Sequence, residues 1–201
     1  MLEQELLLWT GDIVSFHLPR WDELPEIDLY MDQVIVFSER IFSRFPGIYS
    51  SKLISPSIIN NYVKLGIIPQ PVKKKYSRTH ITYLMMICIL KQVLPISAIT
   101  DLIAYQLQTD SIPLVYNRFC EVQEQATKAA VETAQKEYFL KDTTDDTGPR
   151  AASVELALRM AATANSSKIV AEKIICLKRE RELALTVPSE VESEDKRAKT
   201  R

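Results

Sequence analysis

Residues 54–77 read ISPSIINNYVKLGIIPQPVKKKYS, and this stretch decides the fold that the sequence predicts. Ser55 is a favourable helix N-cap, and Pro56 suits the first helical position because an N–H there has no intrahelical partner. Gly66 fits the position just after a helix, where the backbone often turns left-handed. The pattern therefore predicts a short helix over residues 56–65.

The predicted helix has an apolar side and a polar side. The apolar side consists of Ile58, Ile59, Tyr62 and Val63, and the polar side of Ser57, Asn60, Asn61 and Lys64. Residues three and four apart lie on the same helix face, so the polar set forms one surface. A short helix with hydrogen-bond donors and acceptors on one face has the size and chemistry to enter the major groove of DNA.

The segment after the helix is predicted to form a small β-ribbon, or wing. Pro69 and Pro71 restrict the chain to extended or turn conformations. Residues 67–68 leave the helix in an extended form, and residues 73–76 can return as a second short strand. Three consecutive lysines, Lys73, Lys74 and Lys75, would then lie at the tip and edge of the wing, where they can contact DNA phosphates.

The charge of the chain is strongly segregated, although its net value is only −1. Residues 1–45 carry nine acids and three bases, and residues 101–201 carry 17 acids and 15 bases. Residues 46–100 carry seven bases and no acid. An acid-free basic window of this length is typical of a surface that meets a polyanion, although a solvated charged face gives the same pattern.

The remainder of the chain reads as helical, which gives an all-α fold class with long C-terminal helices. Further helices are predicted over residues 28–45 with Asp28 as N-cap, over 77–94 with Ser77 as N-cap, from Ser97, after Pro113, and over 151–185. We expect an N-terminal arm (1–27), a winged helix-turn-helix domain (28–105), a helical dimerisation or effector region (106–186) and a disordered tail (187–201).

The helix after Pro113 carries a heptad-like seam. The seam alternates at spacings of four and three and consists of Val115, Phe119, Val122, Ala126 and Ala129. It can pack within one chain or between two chains, and the sequence leaves both options open. We expect a homodimer, because one short recognition helix buries little DNA surface and two-fold operators match dimers.

The pattern ISPSIINNYVKLGIIPQP…KKYS, followed by spaced aliphatic residues, resembles the N-terminal domain of MerR-type regulators over about residues 50–105. Residues 18–105, with LPRWDELPEIDLYMDQVI before the short helix, more closely resemble an uncharacterised bacterial family, domain of unknown function number 1836, which is described as MerR-like. The resemblance implies a winged helix-turn-helix that binds double-stranded DNA. Asn60 and Asn61 depart from it, because MerR-type proteins carry an Arg-Tyr pair at these places.

The residues expected to contact DNA combine the helix, the wing and the start of the next helix. They are Ser55, Ser57, Asn60, Asn61, Lys64, Lys73, Lys74, Lys75, Tyr76 and Arg78. Ser55 and Ser57 can hold a phosphate at the helix N-terminus. For Tyr76, packing in the core competes with contact to DNA. Trp21 is expected to anchor the N-terminal arm by apolar burial.

The sequence gives no support for catalysis, a cofactor, a metal site or a membrane span. It contains no GxSxG, P-loop, HExxH or dinucleotide-binding motif, and its three cysteines are scattered. We expect a cytoplasmic transcription regulator rather than an enzyme. The alternative is a protein-interaction adaptor that retains the fold without DNA binding, as the Asn60–Asn61 departure allows. Neither an operator nor an effector is indicated.

Overall fold

The computed structural model describes residues 2–43, 53–141 and 148–186, which form seven α-helices and one two-stranded antiparallel sheet. The helices are α1 (Leu2–Val14), α2 (Met31–Phe42), α3 (Pro56–Lys64), α4 (Arg78–Leu90), α5 (Ile96–Leu107), α6 (Ile112–Lys141) and α7 (Gly148–Thr186); the strands are β1 (Leu29–Tyr30) and β2 (Lys75–Tyr76). This confirms the prediction of a mainly helical chain with a small β-element. The tail predicted to be disordered lies outside the described residues.

The short helix α3 is confirmed together with its two end signals. The Ser55 hydroxyl accepts a hydrogen bond from the Ile58 N–H at 3.3 Å, as expected of an N-cap. Pro56 occupies the first turn. Gly66 follows the helix with φ = 71°, a left-handed conformation that favours glycine.

The predicted pairing of the β-ribbon is wrong. Strand β2 pairs with β1, with Leu29 opposite Tyr76 and Tyr30 opposite Lys75, and not with residues 67–68. The amides of Ile67 and Ile68 donate instead to the Tyr62 carbonyl, at 2.9 and 3.3 Å, and so close the end of α3. The last carbonyls of a helix have no donor within the helix. Because the Ile67 and Ile68 amides bond to one of these carbonyls, they are not available to pair with a second strand.

The helix predicted over residues 28–45 begins later than expected. Its N-cap is Tyr30 rather than Asp28, and the Tyr30 N–H donates to the Gln33 side chain at 2.9 Å. Residues 29–30 are held extended by pairing with β2, which delays the start of the helix to Met31. The predicted end at residue 45 lies outside the described residues.

Helix α4 is the centre of the molecule, since nine of its 13 residues are buried. It packs against α2, α5, α6 and β2. The core also takes in Ile59 of α3 and Tyr116 of α6, both fully buried. The predicted helix over 77–94 therefore forms, but its α-helical part ends at Leu90 and residues 91–94 continue as turns.

The two C-terminal helices contribute to this core through Val115, Tyr116 and Cys120 of α6 and Ile175 of α7. Helix α7 runs back along α6, since Arg159 lies 3.7 Å from Glu137 near the end of α6 and Ile175 reaches the core. Helix α1, within the predicted arm, packs on α6, where Gln135 Nε2 donates to Thr10 Oγ1 at 3.1 Å. In the part of the chain that is described, no helix is long and apolar enough to cross a membrane.

Candidate nucleic-acid interface

The two faces of α3 separate as the sequence predicts. Ile59 and Val63 are 0% and 8% exposed, so the apolar side anchors the helix on the core. Ser57, Asn60, Asn61 and Lys64 are all exposed. We call these four residues the α3 polar face. The packing thus leaves one continuous polar side of a nine-residue helix open to solvent.

The chain that follows α3 is tied back to the helix. Besides the two amides that bond to Tyr62, the Gln70 side chain donates to the Val63 carbonyl at 3.4 Å. Ile68 is 1% exposed and packs in the core. The start of the predicted wing is therefore held beside the C-terminal end of α3.

Residues 72–75 form a tight turn, which we call the lysine turn. The Val72 N–H donates to the Lys75 carbonyl at 3.1 Å, and the Lys75 N–H donates to the Val72 carbonyl at 2.9 Å. The two central residues, Lys73 and Lys74, have φ values of 50° and 63°, the signature of a type I′ turn. Asn-Gly is favoured in such turns, and a side chain with a Cβ costs roughly 1–2 kcal/mol in this conformation.

The bases of the acid-free window that the structure describes fall into two groups. Lys64, Lys73 and Lys74 are exposed and have no ion-pair partner among the described residues. Lys75 lies over the Tyr30 ring, with its Nζ 5.3 Å from the ring centroid. Lys91 donates to the Leu53 carbonyl at 2.8 Å. Among these described bases, the cations available to a polyanion are therefore concentrated on α3 and the lysine turn.

Three of the predicted contact residues are engaged inside the molecule. Tyr76 is 3% exposed and packs edge-on against His80, with ring centroids 5.4 Å apart, and burial raises the pKa of its hydroxyl. The Arg78 side chain is 16% exposed and lies over the Trp21 ring at 5.3 Å. The Ser55 hydroxyl is used for capping and lies 3.0 Å from that of Ser57. For Tyr76, the structure therefore agrees with packing in the core, which was the alternative to contact with DNA.

Residues 17–28 run from α6 to β1, and we call this segment the strap. At α6, Glu124 accepts two hydrogen bonds from the Arg20 guanidinium, at 2.7 and 2.6 Å, and one from the Leu18 N–H at 2.8 Å. The Trp21 N–H donates to Asn117 Oδ1 at 2.8 Å. Within the strap, Glu23 accepts from the Arg20 N–H at 2.6 Å.

This network shifts the ionisation of its carboxylates. The hydrogen bond from Arg20 lowers the pKa of Glu124, and the backbone N–H of Arg20 lowers the pKa of Glu23. A carboxylate with a lowered folded-state pKa stabilises the fold above its unfolded pKa, which is 4.5 for an ordinary glutamate. That contribution is lost as the pH falls from about this value through the lowered folded-state pKa.

Sequence reasoning missed the strap network and the conformation of the lysine turn. Arg20 and Glu124 are 104 residues apart, so no local pattern links them. A type I′ turn was not expected because the sequence offers neither Asn nor Gly at the two central positions. For Trp21, the expected anchoring role is realised by stacking beneath Arg78 as well as by packing against the core.

The described residues contain no grouping of three or more His, Cys, Asp or Glu side chains that could hold a metal ion. The two buried cysteines are poor nucleophiles, because burial raises the pKa of Cys88 to about 12 and that of Cys120 to about 11. The third cysteine, Cys176, is exposed on α7.

Comparison with known proteins places part of the chain in a family. A family model described as a domain of unknown function (DUF1836) matches residues 19–119, which extend from the strap to the first part of α6. No curated protein and no solved structure matches the chain. The matched range contains α3, the lysine turn, and Arg20 and Trp21 of the strap, whereas Leu18 and Glu124 lie outside it.

Proposed function

The chain belongs to the DUF1836 family, and we propose that it is a DNA-binding transcription regulator with a MerR-like winged helix-turn-helix. The observation that carries the proposal is the pairing of an exposed α3 polar face with a lysine turn in the same acid-free window. The helix provides groups that can read bases, and the turn provides cations that can hold phosphates.

In the proposed complex, α3 enters the major groove. Asn60 and Asn61 can each make two hydrogen bonds to an adenine edge, and Lys64 can reach a guanine or a phosphate. Ser57 lies at the helix N-terminus, where backbone amides and the helix dipole favour a phosphate. Lys73 and Lys74 hold the flanking backbone. Tyr76 and Arg78 stay in the fold, because their side chains are already packed.

The test is a titration of the full chain with non-specific duplex DNA over a series of salt concentrations. We expect log K to fall linearly with log[salt], by about 0.9 for each phosphate neutralised. Replacing Asn60 and Asn61 by Ala should leave this slope and the non-specific affinity nearly unchanged. The same replacement should remove most of the preference for a selected sequence, because each bidentate pairing with a base provides about 1–3 kcal/mol of discrimination.

One result would count against this function, and another would change the role of the two asparagines. Binding that is undetectable at low salt, or independent of salt, would exclude a regulator-type interface and favour the adaptor alternative. If instead the Asn60 and Asn61 replacements weakened binding to all sequences equally, these residues would hold phosphates rather than read bases. A Gln125→Ala variant, which removes an exposed amide from α6 and leaves α3 intact, serves as the control.

We further propose that two copies act together on DNA. Three of the five residues of the predicted seam support this, because Val122, Ala126 and Ala129 are exposed, whereas Val115 and Phe119 pack in or against the core of their own chain. Large aliphatic residues of α7 are exposed as well, at 44–69%: Val154, Leu158, Ile169, Val170, Ile174 and Leu177. A standard interface takes roughly 800 Å² from each partner and is mostly apolar at its centre, and these exposed side chains supply apolar surface of that kind.

Sedimentation of the free protein at micromolar concentration tests whether two copies of the chain associate. We expect about twice the 23.0 kDa mass of the chain. Replacing Ile174 by Glu places a charge in the apolar surface and should shift the protein to the single-chain mass. Val36→Glu on α2 is a matched control, since Val36 is 66% exposed and Ile174 is 62% exposed. A wild-type protein that sediments as one chain, or an equal effect of both substitutions, would contradict the proposal.

A further inference from the structure

We propose that Glu124 of α6 is a positioning residue for the lysine turn, acting through the strap. Glu124 holds one end of the strap on α6, and the other end of the strap continues into β1, which pairs with β2 next to the turn. A shift of α6 would therefore move the lysine turn. The consequence for DNA binding rests on the proposed function, whereas the mechanical coupling does not.

At α6 the attachment is dense and only partly exposed to solvent. The Arg20 and Glu124 side chains are 24% and 23% exposed, and their paired hydrogen bonds fix both position and orientation. Arg20 Nη1 also donates to the Leu18 carbonyl at 2.7 Å, and Leu18 itself is fully buried. His17 lies 3.3 Å from Glu124. The strap cannot slide along α6 without breaking several of these contacts together.

The strap also holds the start of α4 and, through β1, the second strand. Trp21 lies beneath the Arg78 guanidinium, and Asp22 and Glu26 lie 3.7 and 3.6 Å from it. Arg78 follows β2 by two residues. Within the described ranges, β1 is the only strand partner of β2. The lysine turn is thus supported on one side by β1, which continues directly from the strap.

The two attachments share one short and ordered piece of chain. A 3-10 turn over Trp21–Glu23 carries residues of both attachments, and it is closed by hydrogen bonds from the Glu23 N–H to the Arg20 carbonyl at 2.9 Å and from the Leu24 N–H to the Trp21 carbonyl at 3.3 Å. Leu24 is 2% exposed and packs in the core. A short segment that is bonded at both ends transmits displacement better than a flexible loop does.

Hydrogen exchange of the full chain tests the coupling without any DNA. Glu124→Gln keeps the shape of the side chain but removes the charge that binds Arg20. We expect the Val72 and Lys75 amides, which close the lysine turn, to exchange roughly three to ten times faster. The Ile59 and Val63 amides of α3 should be unaffected. The matched control is Glu132→Gln, the same change at an exposed position of the same helix.

A second variant, Trp21→Leu, leaves Glu124 in place and removes the ring beneath Arg78. It should accelerate the same two amides by a similar factor, and it tests the proposal if Glu124→Gln fails to fold. Faster exchange at Leu18 with no change at residues 72–76 would overturn the proposal. Equal acceleration of every amide, including those of α3, would also overturn it, because it would indicate only a general loss of stability.

The salt series separates this inference from the proposed function. If the wild-type protein binds DNA, Glu124→Gln should weaken binding several-fold although the residue is not among the proposed contacts, and Glu132→Gln should not. If no DNA is bound, the proposed function fails while the exchange result still decides the coupling. If the wild-type protein binds DNA, and residues 72–76 of the Glu124→Gln variant exchange as they do in the wild type, only the coupling fails.

Discussion

Replacing Lys73 by Asn and Lys74 by Gly should make the protein more stable and a weaker DNA binder at the same time. Gly at position 74 has no Cβ and Asn at position 73 tolerates the left-handed conformation better than Lys, which together are worth about 1–2 kcal/mol. This corresponds to a rise in Tm of about 2–4 °C per kcal/mol for a chain of this size. Removing two cations that hold phosphates should reduce the salt slope by about 1.8 and the affinity at ~0.1 M salt by roughly 10- to 100-fold.

Two control variants separate the contributions of charge and backbone strain. Replacing both lysines by Ala removes the same charges but keeps a Cβ at both positions, so the affinity should fall equally while Tm does not rise. Replacing both by Arg keeps the charges and should retain the salt slope. If the Asn-Gly variant binds DNA as well as the wild type does, the lysine turn is not part of the interface. If its Tm falls, the turn is not strained.

Replacing Ile59 by Ala should destabilise the protein and loosen the attachment of α3 to the core. Ile59 is fully buried between α3 and the core, and deletion of such a side chain costs about 2–5 kcal/mol. The expected fall in Tm is about 2–4 °C for each kcal/mol, measured by thermal unfolding followed by circular dichroism. DNA binding at a temperature well below the transition should be weakened for all sequences, since the position of the whole helix is affected.

The neighbouring residue provides the matched control. Asn60 is exposed, and Asn60→Ala should change the stability by no more than about 0.5 kcal/mol, because Ala is the better helix former and the Asn60 side chain is not packed in the core. The Ile59 replacement is thus expected to lower the stability, whereas the Asn60 replacement should reduce the preference for a DNA sequence and leave the stability nearly unchanged. A large loss of stability in Asn60→Ala would show that the α3 polar face has a structural role.

Local chemistry explains which parts of the fold could be predicted. The ends of α3 depend on Ser55, Pro56 and Gly66, whose effects act within one turn of helix. The exposure of Asn60 and the burial of Ile59 follow from the helical period alone. The boundaries of α2 and the pairing of β2 could not be predicted, because both depend on β1, which lies 46 residues before the strand that it contacts.

The sequence by itself determined the short capped helix, its polar face and the concentration of cations in one acid-free window. These properties depend on residue types and on spacings of a few residues. Only the tertiary structure decided which cations remain available, because Arg78 and Lys91 find their partners through contacts distant in sequence. It also joined Arg20 to Glu124 across 104 residues. Such pairings arise when separate elements pack around α4, and no local pattern encodes them.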